Sequence, residues 1–407
     1  MHPPRWGLRP LVEWLSLPAG ESLGVVAGIA LAQSAFAAAG LAAAAALAVA
    51  TLARARGVRN AAVAAVACLV SPMALEGALR LTRAPPVAYA ITHFEPVGLF
   101  VPDGDFGWRL NGPAIIRAVR PSGRRMIYEA SYSLGGDGVR ITPSSRSDGD
   151  TVLFLRDSFT FGEGIGDADT LPERYAIATG RRFRIVNLGV PAYGPNQVLA
   201  QLEAGVIDRH VRGRVRQVFL WFNDDHLARA SGDKEKEWWW GRAPRYSLTD
   251  GGVRRVGTIA DAAADRGATE RAIAESLQGV ELAGVLRPIV RSFPQIDLVE
   301  ALLGRIAAIV RERHGVELVV LYWTEDHPMG LYRPRVAKAI ERAGARLVLV
   351  PDLLAAAGLK PGEAMIPDDG HPTPRLNAVL AAALAARYAP EARPAPTLGA
   401  DRSVVKE

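Results

Sequence analysis

The sequence predicts an α/β fold with a parallel sheet, preceded by a helical hairpin in a membrane. Two observations lead to this prediction. Between residues 151 and 388, apolar runs of strand length alternate with helical stretches, which is typical of a parallel sheet covered by helices on both faces. Ahead of them, residues 23–81 hold two long apolar runs separated by a short arginine-rich stretch.

The first apolar run, residues 23–52, carries no charge and exceeds the ~20 residues that a helix needs to cross a bilayer. The second run covers residues 61–81, and Arg54, Arg56 and Arg59 lie in a short loop between the two. A cleaved signal peptide is the alternative for the first run. That run is too long for an ordinary signal peptide, and a second apolar run follows it. We therefore expect two transmembrane helices, with the lipid bilayer as a partner.

The arginines bear on the orientation of this hairpin. The loop holds three of them, whereas the N-terminal tail, residues 1–22, and the segment after the second run hold two each near the membrane. By density the loop lies in the cytoplasm and both termini lie outside, although the summed counts are close.

The net charge of +6 comes from arginines scattered along the chain rather than from one lysine-rich block. We find no basic patch interleaved with aromatic residues and no nucleic-acid motif, so we expect no nucleic-acid partner. The single cysteine, Cys68, lies in the second apolar run. The remainder of the chain thus has no thiol, which is compatible with an oxidising compartment.

Residues 82–150 are expected to form a β-rich segment against the core, with short strands at 114–119 and 126–133. The α/β domain is expected to span residues 151–388. Its predicted strands are 151–155, 184–188, 217–222, 317–322 and 346–350. Its predicted helices are 171–179, 194–206, 298–313, 333–343 and 373–388.

Residues 226–297 do not fit this rhythm, and we interpret them as an insertion over the site with a helix near 258–280. Their run Trp238 to Trp240 belongs either to ordinary packing or to a sugar-stacking or membrane-interface surface. The last residues, 389–407, are rich in proline, alanine and charge and are expected to be disordered.

The stretch TVLFLRDSFTFGEGIG, residues 151–166, carries the first candidate site residue. Ser158 follows an apolar strand and opens the next helix, which would expose its hydroxyl beside backbone N–H groups, as a nucleophile requires. The alternative is that Ser158 only caps the helix, because serine is a favoured N-cap residue.

Three further blocks supply the other groups of an acyl-transfer site, which needs a base, an orienting carboxylate and oxyanion donors. Gly189 could offer an unobstructed backbone N–H, because glycine lets a substrate approach closely. Asn223 carries an uncharged amide donor. His371 is a base that follows Asp368 and Asp369 by three and two residues.

Jointly and in this order, the blocks RDSFTFGEG, NLGVPAYG, FNDD and DDGHP resemble the four blocks of the SGNH (GDSL-type) hydrolase family. The resemblance covers about residues 151–388. It implies a flavodoxin-like three-layer α/β/α sandwich that uses no cofactor and no metal. It also implies that Ser158 is the nucleophile, that Ser158, Gly189 and Asn223 form the oxyanion hole, and that His371 is the general base.

The membrane-attached form with SFTFGEG is most similar to bacterial envelope members of the family, which act on O-acyl groups of glycans. The resemblance therefore implies a serine esterase or O-acyltransferase, acting on acetyl or other O-acyl esters, in the cytoplasmic (inner) membrane with an extracytoplasmic catalytic domain. Hydrolysis and transfer differ only in whether water or a glycan hydroxyl accepts the acyl group. Transfer would add an acyl-donor partner in the membrane.

The chain departs from the family pattern at one position, because Arg156 stands where the family usually has glycine before the Asp-Ser pair. This cation could help an oxyanion or fill the space that a substrate needs. The carboxylate partner of His371 is also open between Asp368 and Asp369. We favour Asp369, because branches with an Asp-x-His block are more similar to this chain.

Two other functions compete with the leading one. A non-catalytic glycan-binding protein would follow if Arg156 blocks the site. A metal-dependent hydrolase would use carboxylates and histidines around Mg²⁺ or Mn²⁺. Its candidate ligands are Asp157, Asp224, Asp225, His226, Asp369 and His371.

Overall fold

The structure, a computed structural model, describes residues 56–82, 91–123, 125–232, 240–261, 281–324 and 333–389. The chain divides into two compact units. The first comprises Met1–Val87 and Ala263–Phe293, and the second comprises Ala88–Ala262 and Pro294–Glu407.

Helix α1, Arg56–Thr82, is the described part of the predicted membrane hairpin. Within the described ranges it alone is long and apolar enough to cross a membrane, over Arg56–Glu76. The run 23–52 lies outside the described residues, so the two-pass anchor stays a prediction. The expected loop needs correction, because Arg56 and Arg59 belong to the first turns of α1. Arginine is a good helix former, so these residues extend the helix instead of interrupting it.

The second unit is built on the five-stranded parallel sheet that the sequence predicts. Each strand lies within two residues of its predicted bounds. The strands are β6 Thr151–Arg156, β7 Arg184–Gly189, β8 Val215–Asn223, β11 Leu318–Trp323 and β12 Arg346–Leu349. Their order in the sheet is β12-β11-β8-β6-β7, which, counted along the chain and read from the other edge, is the 2-1-3-4-5 order of flavodoxin-like folds.

Strand β6 shows why the sheet is covered on both faces. All six of its residues are buried, and successive side chains of a strand point to opposite faces. Leu153 and Leu155 belong to one core cluster, with residues of the helices Pro195–Glu203 and Glu281–His314. Val152 and Phe154 belong to the other, with residues of the helices Leu171–Ala178 and Pro374–Tyr388. The sheet is therefore the middle of three layers.

The helices of this unit follow the predicted rhythm closely, except that α6 begins well before residue 298. The longer helices are α3 Leu171–Ala178, α4 Pro195–Glu203, α6 Glu281–His314, α7 Arg333–Arg342 and α10 Pro374–Tyr388. Of α6, residues 294–314 belong to this unit. The short helices are α2 Ser158–Phe161, α5 Asp225–Ser231, α8 Val350–Ala356 and α9 Pro361–Ala364.

The expected insertion contains a hairpin that the sequence did not predict, in which strands β9 Pro244–Thr249 and β10 Gly252–Thr258 pair antiparallel. Most of the helix expected near 258–280 lies outside the described residues. So do the side chains of Trp238 to Trp240 and the tail after residue 389.

The β-rich segment contains both predicted strands, each longer than expected, and three more. They are β1 His93–Glu95, β2 Phe100–Asp103, β3 Gly107–Leu110, β4 Ala114–Ser122 and β5 Arg125–Leu134. Strands β4 and β5 form a long antiparallel hairpin to which β1 adds a third strand.

Arg140, just after β5, joins this segment to the loop that follows α2. Its side chain is buried and donates hydrogen bonds to the carbonyl oxygens of Phe161 (2.7 Å), Gly162 (2.6 Å) and Ile165 (2.8 Å). It also forms an ion pair of 3.0 Å with Asp167. One buried cation thus binds three carbonyl groups, one at the end of α2 and two in the loop after it.

Candidate active site

The turn after β6 places Ser158 at the carboxyl edge of the sheet. The helix cap is Asp157, whose Oδ1 accepts a hydrogen bond of 3.0 Å from the backbone N–H of Phe159. The alternative that Ser158 caps the helix is therefore wrong. The expectation of an exposed serine is also wrong, because Ser158 is only 4% exposed. Helix α2 is buried throughout, so its first residue is enclosed with it.

Asp157 is also half of a buried pair with His226. The Asn223 backbone N–H donates to His226 Nδ1 over 2.9 Å, so the proton of the neutral ring is on Nε2, which donates to Asp157 Oδ2 over 2.7 Å. Both side chains are fully buried. The ring thereby links the ends of β6 and β8, which carry Ser158 and Asn223.

The two members of this pair keep opposite proton states. Burial would raise the pKa of Asp157, but His226 and two nearby arginines outweigh it and lower that pKa to about 2. Burial, followed by the positive charge of Arg156, lowers the pKa of His226 to about 3, against the attraction of Asp157. An anionic Asp157 thus faces a neutral His226 at neutral pH.

His371 lies in the loop before α10, with a carboxylate at Nδ1. Asp369 Oδ2 is 2.6 Å from this nitrogen, and the Asp369 side chain is fully buried. Asp368 instead has a backbone φ of +62° and an exposed side chain that pairs with Arg125 over 2.7 Å. The ring of Phe159 packs edge-on against His371 at 5.6 Å between centroids, which brings the base beside the Ser158 turn.

Two residues around His371 were not singled out in the sequence. Arg120 of β4 forms an ion pair of 3.0 Å with the other oxygen of Asp369. Glu163 Oε2 lies 3.5 Å from His371 Nε2. Glu163 lies in the GEG part of the block that carries Ser158, and this proximity in sequence was the available signal that it belongs to the site. No sequence signal marked Arg120 as a site residue.

Burial lowers the pKa of His371, but the carboxylates of Glu163, Asp369 and Asp157 outweigh this effect, so the net pKa is raised above its ordinary value.

Gly189 ends β7 directly opposite Arg156 in the parallel register. A Cβ atom there would lie 2.2 Å from the backbone nitrogen of Phe161. The reason given for this glycine needs correction, because the missing side chain makes room for helix α2 rather than for a substrate. Its N–H donates to Asn187 Oδ1 over 3.0 Å and would have to leave that partner to bind an oxyanion.

Asn223 ends β8, beside Trp323 of β11. Its side-chain oxygen is buried and has no hydrogen-bond partner. The roles of Ser158, Gly189 and Asn223 in an oxyanion hole stay predictions.

The six candidate metal ligands divide into separate contacts. Asp157 pairs with His226, and Asp369 pairs with His371. The carboxylate of Asp224 accepts a hydrogen bond of 2.7 Å from the hydroxyl of Tyr322. The remaining candidate, Asp225, is exposed and pairs with a neighbouring arginine of α5. Within the residues that the structure describes, no group of three or more His, Cys, Asp or Glu residues is placed to hold a metal ion.

Arg156 is the least ordinary residue of the site. Its φ of +108° is in the region that favours glycine, the residue that the SGNH (GDSL-type) family usually has at this position. This backbone conformation costs an arginine about 1–3 kcal/mol. Its side chain lies over the buried ring of Phe222 at 4.7 Å, and none of its three nitrogens has a hydrogen-bond partner. Burial lowers its pKa well below the ordinary value.

We expect Arg156→Met to stabilise the protein. The methionine keeps an unbranched apolar side chain over Phe222 and removes a buried charge, a change worth about 1–4 kcal/mol when buried ionic groups are replaced by apolar ones. The measurement is the urea midpoint of the purified protein, with Arg156→Lys as the control that retains the charge. A lower midpoint for Arg156→Met would show that the guanidinium contributes a stabilising contact.

Comparison with known proteins adds distant likenesses. No family model and no curated protein matches this chain. A G-D-S-L family lipolytic protein from Desulfitobacterium hafniense is similar to 58% of this chain over 98% of its own, at 11% identity and a TM-score of 0.32. An acetylxylan esterase from Geobacillus stearothermophilus is similar to 60% of this chain over 95% of its own, at 14% identity and a TM-score of 0.35. At these values the assignment of the fold rests on the strand order above.

Proposed function

We propose that this protein is a serine ester hydrolase of SGNH type. The observation that carries the proposal is that the turn after β6 and the loop before α10 lie side by side at one edge of the sheet. Ser158 leads β6 into α2, and the Asp369–His371 pair lies beside it through the contact of Phe159 with the His371 ring. A serine, an imidazole and a carboxylate in this arrangement supply the nucleophile, the base and the group that orients the base.

In the proposed reaction the Ser158 oxygen attacks the acyl carbonyl carbon, and His371 takes the hydroxyl proton at Nε2. Asp369 accepts the hydrogen bond from Nδ1 and stabilises the charged ring. The oxyanion is stabilised by the backbone N–H groups of Ser158 and Gly189 and by the amide of Asn223. When the ester C–O bond breaks, His371 returns the proton to the departing alcohol.

The finer assignment is an esterase or O-acyltransferase for O-acetyl groups of envelope glycans, with residues 84–407 outside the cytoplasm. The apolar helix α1 supports attachment to a membrane, and the block SFTFGEG supports the envelope branch of the family. The acyl acceptor decides between hydrolysis and transfer. A reporter fused to the C-terminus tests the orientation, and activity of this reporter only in the cytoplasm would contradict it.

The position of Arg156 supports a catalytic site over a blocked one, because its guanidinium is enclosed over Phe222 in the core. Turnover of a chromogenic acetyl ester, with and without a chelator, tests the proposed function. We expect turnover that the chelator does not change. Loss of turnover with the chelator would favour a metal-dependent hydrolase, and no turnover under either condition would favour a binding protein.

A further inference from the structure

His371 lies between two carboxylates, and the proposed reaction uses only one of them. Asp369 faces Nδ1 at 2.6 Å, and Glu163 faces Nε2, the nitrogen that exchanges the proton, at 3.5 Å. The side chains of His371 and Glu163 are each only 15% exposed, so solvent screens their interaction weakly.

Glu163 is held in place from two sides. Its backbone N–H donates to the carbonyl oxygen of Ser158 over 3.0 Å, which ties it to the nucleophile turn. The Tyr128 hydroxyl of β5 donates to Glu163 Oε1 over 3.3 Å. The next residue, Gly164, donates its N–H to the Tyr132 hydroxyl over 2.9 Å. The carboxylate is therefore fixed beside the ring by the β-rich segment and by the turn.

The carboxylates around His371 favour a protonated ring. Among the described residues, the ionisable groups acting on it are the carboxylates of Glu163, Asp369 and Asp157. Arg120 lies on the far oxygen of Asp369 rather than on the ring. The Tyr128 hydroxyl donates to Glu163 Oε1, the carboxylate oxygen that does not face the ring.

We propose that Glu163 is a further catalytic residue, whose carboxylate stabilises the imidazolium that His371 becomes when Ser158 gives up its proton. The inference rests on the proposed function. As the bond from the Ser158 oxygen to the acyl carbon forms, the O–H bond breaks and its proton moves to Nε2 of His371. The same proton leaves on the alcohol oxygen when the ester bond breaks. Glu163 keeps its charge and exchanges no proton.

This arrangement has a consequence for pH. A carboxylate that favours the protonated ring also keeps the free enzyme protonated, and thus without its base, to higher pH. In Glu163→Gln we therefore expect the acid limb of kcat/KM to move to lower pH by about 1–3 units. We also expect a lower rate on the alkaline plateau, where the imidazolium formed during attack has lost one partner.

The matched control is Glu129→Gln, which removes an exposed carboxylate of β5 that pairs with Arg117. It should leave the acid limb in place. Glu163→Asp retains the charge on a shorter side chain, so its acid limb should lie between those of Glu163→Gln and the wild-type protein. An acid limb that is the same in the wild-type protein and in Glu163→Gln would overturn the inference.

A second measurement does not depend on turnover. In Ser158→Ala protein, the His371 imidazole is titrated by NMR and identified by the signal that Ser158→Ala/His371→Gln loses. We expect Glu163→Gln in this background to lower the midpoint by about 1–3 pH units. An unchanged midpoint would overturn the role of Glu163. A lowered midpoint in a protein whose wild type cleaves no ester supports the electrostatic pairing and contradicts the proposed function.

Discussion

We expect Ser158→Ala to abolish ester cleavage and to leave the fold intact. Loss of the nucleophile in a serine–histidine–carboxylate site lowers kcat by about 10⁶-fold. The cap of helix α2 is Asp157, through its bond to the Phe159 N–H, so the substitution removes no cap. The cost of a lost cap, about 1 kcal/mol, should therefore be absent from the unfolding free energy.

Covalent labelling by a fluorophosphonate probe, together with turnover of an acetyl ester, measures this result. The matched control is Ser231→Ala, which removes a hydroxyl at the end of helix α5 that donates to Ala228. The control should label and turn over like the wild-type protein. Labelling that persists in Ser158→Ala would place the nucleophile elsewhere.

Asp369→Asn and Asp368→Asn, neighbours in one turn, should differ by orders of magnitude. Asp369 Oδ2 accepts the proton of His371 Nδ1 at 2.6 Å. An asparagine amide can present its N–H₂ there and favour the wrong tautomer, a change that costs about 10⁴-fold in kcat in a comparable triad. Asp368 only pairs with the exposed Arg125, and exposed ion pairs contribute at most about 1 kcal/mol to stability.

Steady-state kinetics of the two variants at one pH on the alkaline plateau measure the difference. Asp369→Asn also weakens the ion pair between Asp369 and Arg120. Far-UV circular dichroism therefore checks that this variant is still folded. An equal loss in both variants, or a larger loss in Asp368→Asn, would contradict the assignment of Asp369 as the partner of His371.

The sheet could be predicted because its signal is local. In β6 the central residues, Val152 to Leu155, are buried and form an unbroken apolar run that ends at the charged Arg156. The hairpin β9–β10 could not be predicted in the same way. Its strands are only partly buried, and they carry polar and charged side chains that hide the apolar pattern.

The contacts within the candidate site were less accessible to sequence reasoning, because they join residues far apart in the chain. Spacing placed His371 near two carboxylates, and the family resemblance favoured Asp369. The contact of Asp369 with Nδ1 and the pairing of Asp368 with Arg125 depend on the folding of the loop. The pairing of Asp157 with His226 joins two strand ends, and no local pattern marks it. The approach of Glu163 to His371 depends on a loop held by another segment.

The hydrogen bonds of Arg140 also set where this protein can be divided. A cut before Thr151 would retain the strands of the sheet and the Ser158 block, yet it would remove the cation that satisfies the carbonyl oxygens of Phe161, Gly162 and Ile165. The carbonyl oxygens of Phe161 and Gly162 also accept bonds of 3.4 Å from Asn187 Nδ2 and from the Ile165 N–H, but these bonds are longer than those from Arg140. A buried carbonyl left without a partner costs about 1–3 kcal/mol, and the three carbonyls flank Glu163 in the chain. We therefore expect the smallest autonomous form of this protein to include the β-rich segment, and a transplant of the candidate site onto another chain would have to carry that segment along.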